Sequence, residues 1–123
     1  MEFISTEEFL KQPKGIQKVF IDWWKPSIGD LATNKHGDLS VLKESRDIEA
    51  VKIYKGQPYA IPLFTEGQLR EFIEDKTSRI INIEHFSRGY EIIDYDELGD
   101  DLLQAYWKVA LEIAKENVEN EYK

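Results

Sequence analysis

Residues 100–114 read DDLLQAYWKVALEIA, and this stretch decides the fold. At about 100° per residue its apolar side chains fall on one face, which is the pattern of an amphipathic helix. The members of that face are Leu102, Leu103, Tyr106, Trp107, Val109, Ala110, Ile113 and Ala114, widened by Leu111 and Val118. Polar and charged side chains occupy the opposite face. We therefore predict a long C-terminal helix whose apolar half is covered by the rest of the chain.

Helix-start signals and changes of period organise the remaining sequence. Ser5 with Glu8, and Thr65 with Gln68, each form a capping-box pattern, and a second N-terminal helix ends before Pro26. The alternation of apolar residues predicts short strands at residues 28–33, 38–43, 49–54, 59–61, 79–86 and 90–95. Turns are expected at 34–37 and 87–89, and a mobile polar loop at 44–47.

This order predicts an α+β fold in a single domain, residues 1–123. Two short N-terminal helices precede a small antiparallel sheet or partial barrel, which is followed by a helix, a β-hairpin and the long helix. The chain has no cysteine, which excludes disulfides and thiolate metal sites. It has no apolar run near the ~18 residues of a membrane span and no signal-peptide pattern, so we expect a cytoplasmic protein that binds no membrane.

The net charge of −8 is unevenly placed. Nine basic and nine acidic residues cancel over residues 1–62, whereas residues 63–123 hold seven basic and fifteen acidic residues. This balance argues against direct nucleic-acid binding, which needs basic surface. It suits either a basic partner or simple solubility.

The acids are densest in residues 91–101, which contain six carboxylates and no Lys or Arg. They are Glu91, Asp94, Asp96, Glu97, Asp100 and Asp101. A strand end and a dipole-favoured helix start explain such acids structurally. The functional hypothesis is an acidic partner-binding surface, extended by Glu112, Glu116 and Glu119 on the polar face of the long helix. The alternative is a metal-dependent hydrolase or nuclease that uses the carboxylates of residues 94–101.

No catalytic residue, metal site or cofactor is predicted. The chain lacks a glycine-rich phosphate loop, and no nucleophile motif supports Ser/His/Asp catalysis. Trp23 and Trp24 are adjacent on a predicted helix and lie about 100° apart, so both cannot face the same interior. One of them is therefore a candidate hydrophobic anchor for a partner, or for self-association in a structural or assembly protein.

Three stretches resemble small uncharacterised proteins of phages and prophages from Gram-positive bacteria. They are PLFTEGQLREFIEDK at 62–76, LLQAYWKVA at 102–110 and DWWKPSIGDL at 22–31. The resemblance implies an accessory protein in the cytoplasm of a bacterial host, and it supplies no catalytic residue. By analogy with other small acidic phage proteins, it implies an inhibitor of a host or defence protein. Such an anti-CRISPR-like protein would engage a basic protein surface, for instance a nucleic-acid-binding groove.

Overall fold

The computed structural model describes residues 2–33, 38–55 and 60–121, with side chains described as far as residue 118. These residues form five helices and two two-stranded antiparallel sheets, so the α+β prediction is confirmed and the partial-barrel alternative is not found among them. Two compact units can be distinguished, one over Ser5–Leu63 and the other made of the residues up to Ile4 and from Phe64 onward. We call them the Ser5 unit and the Phe64 unit. The single-domain prediction stays a prediction.

The helices and strands of both units follow in chain order. They are α1 Thr6–Leu10, α2 Lys14–Trp23, β1 Leu31–Thr33, β2 Leu39–Val41, α3 Ser45–Tyr54, α4 Glu66–Thr77, β3 Ile83–Phe86, β4 Gly89–Ile92 and α5 Leu102–Glu121.

In the Ser5 unit, α1 begins after its predicted cap, and α2 ends before Pro26 as predicted. Ser5 caps α1 by accepting the N–H of Glu8 on its Oγ at 3.2 Å. The rings of Phe9 and Phe20 meet edge to face at 6.3 Å and join the two helices in the core. Helix α2 ends at Trp23, three residues before Pro26.

The sheet of the Ser5 unit is shorter than predicted. Strands β1 and β2 pair antiparallel with Ala32 opposite Ser40. On the other side of β1, Ala32 bridges to Pro62 and Thr33 N–H donates to Ile61 O, so the described end of the segment predicted as a strand at 59–61 lies beside β1. The predicted turn at residues 34–37 and the start of the 59–61 strand lie outside the described residues.

The strand predicted at residues 49–54 and the mobile loop predicted at 44–47 are both wrong. This region is helix α3, and residues 45–47 form its first turn. A capping box starts the helix: Glu44 accepts a backbone N–H of that turn, while Asp47 accepts the N–H groups of Glu44 and Lys43 at 2.9 and 3.0 Å. These local bonds satisfy the helix start and outweigh the strand preference of the Val51–Tyr54 side chains.

In the Phe64 unit, α4 and α5 pack together around the core. The capping box of Thr65 and Gln68 is confirmed, and α4 buries Leu69, Phe72 and Ile73 completely. The predicted apolar face of α5 is also confirmed, with Leu102, Leu111 and Val118 half-buried at its margins. Its fully buried members are Leu103, Tyr106, Trp107, Val109, Ala110, Ile113 and Ala114.

The predicted hairpin is confirmed with shorter strands, β3 and β4, joined by a two-residue turn at Ser87 and Arg88. Its register places Glu84 opposite Glu91 and His85 opposite Tyr90. This hairpin leads through residues 93–101 into α5 and so positions all six carboxylates of residues 91–101.

Candidate functional site: an acidic surface around Tyr95

The segment before α5 is held against the hairpin by an unusually close backbone contact. Gly89 has a φ of +107°, and a Cβ at this position would lie 2.6 Å from backbone atoms of Gly99. Two hydrogen bonds close the contact: Tyr90 N–H donates to Gly99 O at 2.8 Å, and Leu98 N–H donates to Tyr90 O at 3.2 Å. Only glycine permits this approach. The path of residues 96–101 therefore depends on Gly89.

A tight turn presents Asp94. Ile92 and Tyr95 exchange both backbone hydrogen bonds, at 2.9 and 3.0 Å, so that only Ile93 and Asp94 lie in the turn. Ile93 has a φ of +57°, which is a strained conformation for a β-branched residue. The closed turn gives Asp94 a defined position beside Tyr95.

Asp101 serves the fold. Its carboxylate accepts the N–H of Gln104 at 2.9 Å, and its carbonyl accepts the N–H of Ala105 at 2.9 Å. It is thus the N-terminal cap of α5. The acids before α5 were predicted to form its acidic first turn. Because the helix begins at Leu102, Asp101 is instead an acidic cap.

The pleat of the hairpin divides the acidic residues between two directions. Glu84 and Glu91 are directly opposite each other on one face, whereas His85 and Tyr90 stack at 4.4 Å between ring centres on the other. Asp100 lies on the second face, with its Oδ1 2.7 Å from His85 Nε2. Glu91 and Asp100 therefore lie on opposite faces of the hairpin, and the partner-binding role of the six carboxylates of residues 91–101 stays a prediction.

Basic side chains of the same unit neutralise part of the cluster. Arg88 Nη1 lies 3.1 Å from Glu97 Oε1, and Arg79 Nη1 lies 3.7 Å from Asp94 Oδ2. The Asp94 side chain is nevertheless 87% exposed. Exposed pairs of this kind are weak and are screened by salt, so they reduce the negative potential without removing it.

Glu91 lies in a shallow cleft of about 180 Å³. Arg79, Glu84, Ile80 and Ile93 also line this cleft. Among the described residues, Glu91 has no ion pair, and its cross-strand neighbour Glu84 carries the same charge. Like charges in directly opposed positions destabilise a hairpin, so the pair of Glu84 and Glu91 lowers the stability of this one.

The carboxylates that act together are centred on Tyr95. Its Oη donates to Glu116 Oε1 at 3.4 Å. Burial, followed by the charges of Glu116, Glu112 and Asp94, holds the pKa of Tyr95 above its ordinary value of 10.0. The negative charges of these three carboxylates thus act on one hydroxyl group, that of Tyr95. We call Asp94, Tyr95, Glu112 and Glu116 the Tyr95 patch.

The remaining predicted residues have other positions. Asp96 is exposed and, within the part of the chain that the structure describes, has no ion pair. Trp24 is only 2% exposed, and its indole N–H donates to Asp30 Oδ2 at 3.0 Å. Of the two candidate anchors, Trp24 is therefore buried, and Trp23, which is half-buried, keeps that role as a prediction. The side chain of Glu119 lies outside the described residues.

Sequence reasoning missed the contribution of Tyr95. The signal was its position one residue after Asp94, in the turn that leads back to the polar face of α5. The counter-ions Arg79 and Arg88 were missed because only the hairpin register brings them beside acids that are distant in sequence.

Two further findings concern the described residues alone. Over residues 2–33, 38–55 and 60–121, no three His, Asp or Glu side chains are arranged so that they could hold a metal ion. In the same ranges no helix combines the length and apolar character that crossing a bilayer requires.

Comparisons with known proteins add no relative to this description. No family model, no curated protein and no solved structure matches the chain.

Proposed function

We propose that this chain is a non-catalytic interaction protein that engages a basic surface of another protein through the Tyr95 patch. The observation that supports the proposal is the Tyr95 hydroxyl, which donates to Glu116 Oε1 at 3.4 Å. Burial, followed by the charges of Glu116, Glu112 and Asp94, holds the pKa of Tyr95 above its ordinary value. A surface that retains this much negative potential favours association with Lys- and Arg-rich partners.

The geometry of the patch suits recognition better than a flexible acidic tail would. Glu112 and Glu116 are four residues apart on α5 and therefore lie on the same side of the helix, about 6 Å apart at their Cβ atoms. The apolar face of α5 is buried in the Phe64 unit, which fixes the helix. Carboxylates carried on a fixed helix lose less conformational entropy on binding a cation than carboxylates on a flexible tail.

The tyrosine adds a second kind of contact. Its ring can stack on an arginine guanidinium or accept a cation over its face, while its hydroxyl already bonds to a carboxylate. Tyrosine and arginine, like tryptophan, are enriched at the energetic centre of protein interfaces. We therefore expect an arginine-containing partner surface.

The biological setting that we propose follows from the resemblance to phage and prophage proteins. The chain would act in the cytoplasm of a bacterial host as an inhibitor of a host or defence protein, in the manner of an anti-CRISPR protein. The basic groove by which such a target holds nucleic acid is a surface of the required charge.

A pull-down from a Gram-positive bacterial lysate tests the proposal. The bait is the tagged chain, compared with the double variant Glu112→Lys/Glu116→Lys. A matched control, Glu2→Lys/Glu71→Lys, changes the net charge equally at exposed positions outside the patch. We expect basic proteins to bind the wild type and the control, to be released as salt rises, and to be lost from the patch variant. Capture that ignores both salt and the patch variant would contradict the proposal.

A metal titration addresses the hydrolase alternative separately. Calorimetry with Mg²⁺ or Mn²⁺ should show no saturable binding for an interaction protein. Tight binding together with turnover of a nucleic-acid substrate would replace our proposal with the hydrolase.

A further inference from the structure

A cavity of about 140 Å³ lies in the Ser5 unit, beside the first turns of α2. Its lining residues are Phe9 of α1, Lys14, Gln17, Lys18 and Ile21 of α2, and Ile61 beside β1. The four residues of α2 follow the spacing i, i+3, i+4, i+7 and therefore share one face of the helix. An apolar cavity of about 150 Å³ holds one benzene molecule, so a cavity of this size admits a single apolar side chain.

The apolar part of the wall is preformed. Phe9, Ile21 and Ile61 are only 1%, 8% and 3% exposed. The ring of Phe9 is held edge to face by Phe20. Ile61 is held by Thr33, whose Oγ1 accepts the N–H of Ile61 at 3.0 Å and whose N–H donates to Ile61 O at 2.9 Å. An apolar group that enters the cavity therefore meets a surface that is already in place.

Gln17 supplies an acceptor that has no donor. This side chain is 8% exposed, and its Nε2 donates to Gln12 O at 2.7 Å and to Leu10 O at 3.4 Å. The two carbonyls fix which end of the amide is nitrogen and use both of its protons, so Oε1 points away from them. Among the described residues no group donates to Oε1, and this atom is not fully enclosed. A ligand N–H in the cavity would satisfy it.

The start of α2 makes one end of the cavity positive. Helix α2 begins at Lys14, and its N-cap residue, Pro13, provides no side-chain hydrogen bond to the first turn. The positive end of the helix dipole and the N–H groups of that turn thus favour an anion. Lys14 adds an ammonium group there, and Lys18 adds a second one turn later, although Lys18 also pairs with Asp22.

We propose that this cavity binds the C-terminal residue of a peptide when that residue is apolar. The side chain of the terminal residue packs against Phe9 and Ile61, its backbone N–H donates to Gln17 Oε1, and its carboxylate pairs with Lys14 and the start of α2. Lys14 and Gln17 are three residues apart, which places their Cβ atoms about 5–6 Å from each other. The N–H and the carboxylate of a single residue can span that spacing.

Charge favours a peptide terminus over a free amino acid. The α-ammonium group of a free amino acid would lie beside Lys14, Lys18 and the positive end of α2, and like charges repel. The amide N–H of a peptide is a neutral donor and meets no such repulsion. An apolar carboxylate without an N–H would leave Gln17 Oε1 without a donor.

A series of four small ligands tests each contact separately. N-acetyl-L-leucine is the minimal peptide terminus, and we expect it to bind with a Kd in roughly the millimolar range. N-acetyl-L-leucinamide lacks the carboxylate, 4-methylpentanoate lacks the N–H, and L-leucine carries the ammonium group. Each of these three should bind about tenfold more weakly or worse. NMR titration measures the affinities, and nuclear Overhauser effects between the ligand methyl groups and the Phe9 ring locate the site.

Two charge reversals in the same unit test the protein side. Lys14→Glu places an acid at the cavity, and because acids are favoured in the first turn of a helix, the variant should keep the fold. The matched control is Lys25→Glu, which makes the same charge change at an exposed position outside the cavity. We expect the Kd for N-acetyl-L-leucine to rise about tenfold or more in Lys14→Glu and to stay unchanged in Lys25→Glu.

Three results would each overturn the inference. They are the absence of saturable shifts at the cavity up to about 20 mM N-acetyl-L-leucine, binding of the amide, 4-methylpentanoate or free leucine with equal affinity, and equal losses in the two lysine variants. Binding to basic proteins through the Tyr95 patch can succeed or fail independently, because no residue of that patch is altered in these variants.

Discussion

Replacing Gly89 by alanine should destabilise the Phe64 unit far more than replacing its neighbour in the contact, Gly99. Both glycines have positive φ angles, +107° and +85°, so an added Cβ strains each backbone by about 1–2 kcal/mol. At Gly99 the nearest atom to the new Cβ is Lys108 Nζ at 3.6 Å, an ordinary contact. The expected loss for Gly99→Ala is therefore the strain alone.

At Gly89 the new Cβ collides with backbone. It would lie 2.6 Å from the N and O atoms of Gly99, and the segment must move to relieve the overlap. The hydrogen bonds that join this segment to Tyr90 are then lost, at about 1 kcal/mol each. Together with the strain, Gly89→Ala should cost roughly 3–4 kcal/mol.

A third variant calibrates the comparison. Gly67 lies in α4 of the same unit, has no neighbouring atom within 4 Å of an added Cβ and has no positive φ. Gly67→Ala should stabilise the protein by about 0.5–1 kcal/mol, because alanine is the better helix former. Urea unfolding followed by circular dichroism gives the three free energies, and hydrogen exchange at the Tyr90 amide reports the local contact. Equal destabilisation by Gly89→Ala and Gly99→Ala would refute the close approach of the two segments.

Three further predictions concern charge. The pKa of Tyr95, read from its ultraviolet absorbance, should exceed 10.0 and should fall in Glu116→Gln. The raised pKa means that the folded state favours the protonated phenol. Its contribution to the free energy of unfolding is therefore present below pH 10 and is lost as pH rises through the folded-state pKa. The backbone N–H donors of residues 44 and 43 lower the pKa of Asp47, so helix α3 should lose stability as pH falls from 3.8 through that lowered pKa, and Asp47→Asn should remove this dependence in an NMR titration. Glu91→Lys converts the repulsive cross-strand pair of Glu84 and Glu91 into an attractive one. It should therefore raise the free energy of unfolding, measured by urea denaturation, by about 0.2–1 kcal/mol.

The parts of the fold that could be predicted are those specified by local sequence. The apolar face of α5 repeats with the helical period over many residues, and Thr65 with Gln68 is a common capping pair, so both were identified correctly. Helix α3 was missed because its cap is Glu44 with Asp47 as the reciprocal partner, a pairing outside the usual Ser/Thr pattern. The Val, Ile and Tyr side chains that follow then suggested a strand.

In the candidate site, too, some features are visible in the local sequence and others depend on the fold. The density of acids in residues 91–101 is visible in the sequence, but their directions are set by the pleat and register of the hairpin. Asp101 could be recognised as a cap only once the first residue of α5 was known. Arg79 is fifteen residues before its partner Asp94, and that pairing follows from the path of the chain through both strands.

The central claim, that the Tyr95 patch is the surface that attracts basic partners, is tested most directly by an NMR titration with a deca-arginine peptide. We predict that the largest shifts occur at the amides of Asp94, Tyr95, Glu112 and Glu116, and that they shrink as salt rises and disappear in Glu112→Lys/Glu116→Lys. Shifts spread over other acidic positions, or unchanged by salt and by the double variant, would contradict the account.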